Sequence, residues 1–368
     1  MKKLIMYSAV QNKIGGVEKF NINFCKRMSK YFDITFVCDG GDKESLDKVR
    51  KYATVFIHNG REIEGDICLY STSWGDIKET QIKAKKYIQI THADLTQYKM
   101  SNYFNYKRRY NVTHHVSVGN NVAEALKTEY GHKSTVIYNL LDNEIKFKRS
   151  KKETKTDVLK LITLSRISPE KGFERMIRLC EILRKKHKKF TWDVYGNNLD
   201  DDYTRKIIKE MNYFEEVTFK GVKLDLTQEV RDADYLVQLS NTEGMPYSPR
   251  EALQAGTPCI LTNYPAAYEI IDDGVNGFIV DMGLSNLDFD KLYNEIPNNF
   301  LYVEESDEKD WLSILKINER ERVLVRTVAL YKDKQKGRNM DPKFEKDRYE
   351  KLERGLQLID TGWCEFVV

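Results

Sequence analysis

The sequence predicts an α/β protein of two successive parallel-sheet domains, residues 1–150 and 151–317, followed by a small α+β appendage at 318–368. Three observations predict it. Short β-branched runs alternate with stretches of helical spacing from Leu4 to Tyr138, and the alternation restarts from Leu159 to Val280. Between the two, Lys146, Lys148, Arg149, Lys151, Lys152, Lys155 and Lys160 crowd a polar stretch without apolar periodicity, which reads as a solvated, self-repelling linker. After Trp311–Ile317 the rhythm changes a second time.

In the first domain the strand candidates are Leu4–Val10, Ile34–Cys38, Thr54–Ile57, Ile67–Ser71, Tyr87–Thr91, Val116–Gly119 and Thr135–Tyr138. Val17, Phe20, Phe24, Met28 and Tyr31 recur every three or four residues and give one helix an apolar face. A second helix runs from Asn121 to Tyr130 and is closed by Gly131. Strand–helix alternation of this kind requires a parallel sheet covered on both faces. In the second domain Leu159–Ser165, Thr191–Tyr195, Val217–Phe219, Tyr235–Leu239, Pro258–Thr262 and Phe278–Val280 read as strands. A helix at Glu174–Lys189 ends in Arg184-Lys185-Lys186-His187-Lys188-Lys189, where a helix dipole already favours cations. Two such domains leave a cleft between them, a preferred place for a small-molecule site. In the appendage, Arg322–Tyr331 is β-rich, Pro342–Gln357 helical and Trp363–Val368 a last strand. So small a unit is marginal unless docked.

Composition excludes several classes. Of 368 residues, 60 are Lys or Arg and 56 Asp or Glu, so the net charge of +4 demands no nucleic-acid partner. No apolar run approaches the roughly 20 residues of a membrane span. Met1-Lys2-Lys3 and the short apolar run after it read as a first strand rather than a secretory signal. Cys25, Cys38, Cys68, Cys180, Cys259 and Cys364 stand singly, without zinc spacing, which points to buried thiols in a reducing, cytoplasmic setting.

The segment richest in chemistry runs from Glu243 to Pro258. It follows a buried strand, turns at Gly244 and Pro246 and opens a helix. Ser248 suits the N-cap, Pro249 the first helical position, and Glu251 completes an S-x-x-E capping box. Against that purely structural role stands the placement of Glu243 at the carboxyl end of a parallel strand, where open α/β sheets bind ligands. The helix start offers N–H groups to phosphate or sugar oxygens, and a carboxylate accepts two adjacent hydroxyls such as those of a ribose. Gly15 and Gly16 precede a helix; either they make a tight turn or they let backbone N–H groups approach a phosphate or an acceptor. They do not form G-x-G-x-x-G, which counts against a dinucleotide dehydrogenase.

With Glu-Gly leading at 243 and Glu-Ala…Ala-Gly-Thr-Pro following from 251, the E-x7-E spacing resembles the signature of family 4 retaining glycosyltransferases of the GT-B fold. Ile14-Gly15-Gly16-Val17-Glu18 resembles that family's Gly-Gly loop, and Ser165-Arg166-Ile167-Ser168-Pro169-Glu170-Lys171-Gly172 its basic pyrophosphate-binding segment. Glu269 and Asn276-Gly277-Phe278-Ile279-Val280 resemble its downstream motif, although Tyr264-Pro265-Ala266-Ala267-Tyr268 replaces the usual Gly-Gly. The resemblance covers about Lys3 to Ile317 and implies two Rossmann-like domains, an acceptor-side one and a nucleotide-sugar-binding one. It implies transfer of a sugar from a nucleotide-sugar donor, UDP by family frequency, with retention and with donor phosphate oxygens helping to deprotonate the acceptor. The acceptor would be a glycan, lipid-linked intermediate, cell-wall polymer or protein.

Carried over residue by residue, Glu251 holds the donor ribose, Glu243 lies near hydroxyls of the transferred sugar, and Arg166 and Lys171 neutralise the diphosphate. Met245, Tyr247 and Ser248 join the donor site with Gly15 and Gly16. Fixed positive groups stabilise a leaving diphosphate without reorganising, so no cofactor or metal is required. The acidic run Asp200-Asp201-Asp202 reads as a loop and helix N-cap instead of a metal site. His92, just after a strand, is either structural or the histidine with which the family faces the donor sugar. The basic aromatic stretch 98–110 suits an anionic polymer, stacked sugars or peripheral contact with the inner face of a membrane, and equally a solvated helix. A sugar-nucleotide epimerase of similar fold and a non-catalytic glycan-binding protein are the alternative readings.

Overall fold

The computed structural model describes residues 1–12, 15–72, 77–78, 81–94, 111–141, 155–196, 201–223, 225–297 and 308–316. The stretch 98–110, the appendage 318–368, Ile14, Asp200 and most of the linker lie outside the described residues.

The strands of the first large sheet are β1 (Lys2–Tyr7), β2 (Phe32–Cys38), β3 (Thr54–Ile57), β4 (Ile67–Tyr70), β5 (Lys86–Thr91), β6 (His114–Ser117) and β7 (Thr135–Val136). All are parallel, in the order β7-β6-β5-β4-β1-β2-β3. A second parallel sheet contains β8 (Leu159–Leu164), β9 (Phe190–Tyr195), β10 (Val217–Gly221), β11 (Tyr235–Gln238), β12 (Cys259–Thr262) and β13 (Gly277–Val280), in the order β10-β9-β8-β11-β12-β13. The inner strands are buried along their length, which explains why they read as continuous apolar runs. The GT-B fold expected from the resemblance is the fold of the chain.

The helices, in chain order, are α1 (Gly16–Met28), α2 (Lys43–Arg50), α3 (Asn120–Tyr130), α4 (Phe173–Lys185), α5 (Asp202–Met211), α6 (Thr227–Asp232), α7 (Tyr247–Gln254), α8 (Ala267–Ile270), α9 (Phe289–Asn294) and α10 (Glu308–Ile314). Phe20, Phe24 and Met28 of α1 are buried as their spacing predicts, but Tyr31 falls outside the helix, exposed, with its hydroxyl on Glu308. Helix α3 ends at Gly131 in the left-handed conformation, as expected. Helix α4 ends four residues early, because His187 adopts a positive φ of 54° and turns the basic tail out of the helix. Asp201 caps α5, accepting from Thr204 N at 2.7 Å.

One apolar cluster runs from the first sheet through Met245 and Tyr247 into the second lobe. Each fully buried Phe or Leu in it contributes about 1.5–3 kcal/mol. Helix α10 returns to the first lobe, where Trp311 packs its ring 5.6 Å from Phe20 and 5.1 Å from Phe24. Glu308 of the same helix meets Arg27 and Lys30.

Strand order reverses beside β1, between β1 and β4, and again beside β8, between β8 and β11. A crevice opens outside the carboxyl ends of strands at such a switch point. The loop to Gly15 and Gly16 follows β1, Arg166 follows β8, and Glu243 follows β11.

Candidate active site

Glu243 stands in the loop after β11, and three donors converge on its Oε1. Lys171 Nζ lies at 2.7 Å, Gln238 Nε2 at 2.6 Å and Ser240 Oγ at 2.7 Å. With side chains only 10% and 20% exposed, Glu243 and Lys171 form a mostly buried, hydrogen-bonded pair. Burial of two charges is tolerated here because polar groups satisfy the shared oxygen. Oε2 takes none of these three donors.

Arg166 does not join them. Its side chain is 56% exposed and pairs with Glu170 Oε1 at 3.0 Å, which also accepts from Ser168 Oγ at 2.6 Å. Its charge acts instead on Glu18 of α1, whose carboxyl burial pushes up from the usual range while backbone N–H groups and Arg166 pull it back. The Glu18 carboxylate also lies over Gly15, where a Cβ would have to displace the end of that side chain.

The capping box is not formed. Pro246, in extended geometry, is the N-cap residue of α7, without a side-chain cap, and Ser248 already lies inside the helix. Glu251 is drawn away by a cation that local sequence does not reveal, Lys19 of α1, with which it forms an ion pair. Met245 and Tyr247 are buried where the lobes meet. The Met245 carbonyl accepts from Asn139 Nδ2 at 3.0 Å, and Tyr247 packs by Gly16 and donates to the Leu140 carbonyl at 3.4 Å.

His92, just after β5, meets this loop with its backbone carbonyl, which lies beside Gly244. Its ring meets Phe20 edge-on at 4.8 Å, and Nε2 lies 3.4 Å from Ser71 Oγ. Burial holds the imidazole down, from 6.5 to about 3, so it stays neutral through the physiological range. In the unfolded chain the ring takes a proton as pH falls below 6.5, and in the folded protein not until about 3. Stability is therefore lost as pH falls through that window, by at most about 1.4 kcal/mol per unit. Urea melts at pH 7 and pH 5 should show a smaller loss for His92→Gln than for the parent chain; equal losses would exclude this origin.

Residues without an assigned role in the sequence reading close the cleft. Glu269 of α8 accepts from Asn120 N, Asn121 N, Asn120 Nδ2 and the Tyr138 hydroxyl, each at 2.9 Å. A carboxylate thus caps the positive end of α3 from the opposite lobe. Asn121 Nδ2 donates to the Glu243 carbonyl at 2.9 Å, Thr242 Oγ1 to Asp94 at 3.0 Å and buried Arg250 to the Asn139 carbonyl at 3.0 Å. The one sequence signal for such partners was polarity inside an apolar run, as at Gln238 in β11. Glu269 was marked by its motif, but its cross-lobe partners Asn120, Asn121 and Tyr138 carry no local signal.

Residues 144–299 match the family described as glycosyl transferases group 1. The UDP-N-acetylglucosamine–peptide N-acetylglucosaminyltransferase GtfA subunit of Streptococcus pneumoniae is 28% identical over 121 residues, 33% of this chain and 24% of that protein. The poly(ribitol-phosphate) alpha-N-acetylglucosaminyltransferase of Staphylococcus aureus is 24% identical over 165 residues, 45% of this chain and 33% of its own length. The chain thus spans a third or less of either relative. Among solved structures, Anabaena Alr3699/HepE in complex with UDP-glucose superposes with a TM-score of 0.63 at 15% identity, covering 90% of this chain and all of that one.

Proposed function

Taking as premise that residues 144–299 belong to the group 1 glycosyl transferases, we propose that the chain transfers a sugar from a nucleotide-sugar donor, a UDP-sugar, to a hydroxyl of a glycan, polymer, lipid-linked or protein acceptor. The observation that carries this reading is the Lys171–Glu243 pair, braced by Gln238 and Ser240 at a switch point and faced by His92 from the other lobe. In use, Lys171 meets the charge that develops on the leaving diphosphate, and Arg166, freed from Glu170, adds a second cation. Oε2 of Glu243 accepts hydroxyls of the transferred sugar. Neutral His92 accepts or donates a hydrogen bond without adding charge. Glu251, close to the junction with α1, holds the ribose. These cations meet the diphosphate without a metal, and the anomeric configuration is retained.

UDP-N-acetylglucosamine, the donor of the Streptococcus pneumoniae relative, and UDP-glucose, bound in the Anabaena structure, support uridine as the base. The test is a thermal-shift panel of nucleoside diphosphates and their sugars, in buffer with and without EDTA. A ligand at 100 times its Kd stabilises the native state by about 2.7 kcal/mol, so UDP and one UDP-sugar are expected to raise Tm by several degrees, with EDTA making no difference. A flat response to every nucleotide would overturn the proposal.

A further inference from the structure

We infer that Gln11, Asn21 and Ser71 are positioning residues that hold His92 as a single tautomer, with its proton on Nε2 and its Nδ1 lone pair as the only acceptor of the ring. The direction of the chain of hydrogen bonds follows from one group that cannot donate. The Glu18 backbone carbonyl accepts from the Gln11 amide nitrogen at 3.2 Å, and the same nitrogen reaches Ser45 Oγ at 3.0 Å. The Gln11 amide is thereby oriented, and its Oε1 faces Asn21, where it accepts from Nδ2 at 2.9 Å. Asn21 must then present Oδ1 to Ser71, whose hydroxyl donates to it at 2.6 Å. A hydroxyl has one proton. With that proton committed, Ser71 Oγ offers His92 Nε2 only a lone pair across 3.4 Å, and the contact is completed only if Nε2 carries hydrogen.

Nothing in the chain is free to reverse. Gln11 and Asn21 are fully buried and Ser71 and Ser45 are 1% exposed, so solvent does not enter to supply a proton. The four side chains come from the loop after β1, α1, the end of β4 and α2, elements held together by the first lobe's core. The Phe20 ring against His92 resists rotation of the imidazole. Such a network, satisfied at every member, fixes a unique arrangement.

The consequence for recognition rests on the function proposed above. A neutral ring whose remaining nitrogen can only accept selects a hydroxyl, a donor, and disfavours the oxygens of a phosphate. His92 therefore reads a hydroxyl of the substrate sugar.

The test uses the whole chain labelled with 15N in histidine. Long-range proton–nitrogen correlation spectra distinguish the two tautomers directly, and the His92 signals are identified by their loss in His92→Gln. The parent protein should show Nε2–H at pH 7. Ser71→Ala should give a mixture of tautomers and lower kcat/KM about tenfold, the worth of one hydrogen bond, while Ser71→Thr, which keeps the hydroxyl, should restore both. A proton on Nδ1 in the parent protein, or an unchanged Nε2–H state in Ser71→Ala, would overturn the inference. The parent spectrum decides even if a variant fails to fold. UDP-N-acetylglucosamine is then added: a shift at Nδ1 supports hydroxyl reading, and a silent Nδ1 beside an intact Nε2–H state counts against the donor reading alone.

Discussion

Replacing Lys171 by alanine is expected to lower the transfer rate about 10²- to 10³-fold, the usual cost of removing one preorganised group that stabilises charge in a transition state. Among the described residues the Lys171 ammonium is the cation placed against Glu243, at 2.7 Å, and it is largely shielded from solvent. A screened, mobile surface lysine would matter far less. The same substitution leaves Glu243 with Gln238 and Ser240 as donors, so the carboxylate is not stranded. The stability loss should stay near about 1–3 kcal/mol, the range for one lost partner of a buried group. Lys171→Arg keeps the charge but not the compact geometry and should fall between the two. Steady-state kinetics with the donor found by thermal shift, run beside thermal melts, separate the effects. Turnover within fivefold of the parent for the folded alanine variant would remove Lys171 from the chemistry.

Gly244→Ala should be nearly as costly, by a different route. A Cβ at this position would stand 2.0 Å from the carbonyl oxygen of His92, a backbone atom of the opposite lobe. One side must retreat by roughly 1 Å, and a displacement of that size at reacting groups costs about 10²-fold. The loop that shifts carries Glu243, and the strand end that shifts carries His92, so both halves of the site separate. Neither lobe loses core volume, so the melting temperature should change much less than the rate. Kinetics and melts on the purified variant decide: full activity would mean that the approach of Gly244 to His92 is dispensable.

What was legible in the sequence was whatever a short window determines. Buried parallel strands announce themselves as apolar runs, and the spacing of Phe20, Phe24 and Met28 located one face of α1 correctly. The segments that supply Glu243, Lys171 and His92 were recognisable by motif. Their pairing was not, because Lys171 and Glu243 are 72 residues apart and the contact exists only once the second sheet has formed. The capping box shows the opposite error. The S-x-x-E pattern at Ser248 is a valid local rule, but Lys19 from another lobe outbids it for Glu251. Asn21 shares the helical face of Val17, Phe24 and Met28 and Asn23 lies off it, yet both polar side chains are buried, one in the network below His92 and the other on the Leu140 carbonyl. Polar residues at buried helical positions are invisible to a count of apolar spacing.

Trp311 has a bearing on how the polypeptide can be dissected. It lies in the last stretch described, 219 residues beyond His92, yet its indole is part of the floor under Phe20 and hence under His92. The amino-terminal half is therefore not an autonomous module: a fragment ending after the first sheet would lack one wall of its own interior. Messages truncated shortly before codon 311 would damage the amino-terminal lobe while leaving the Arg166–Lys171 and Glu243–Glu251 segments of the other lobe intact.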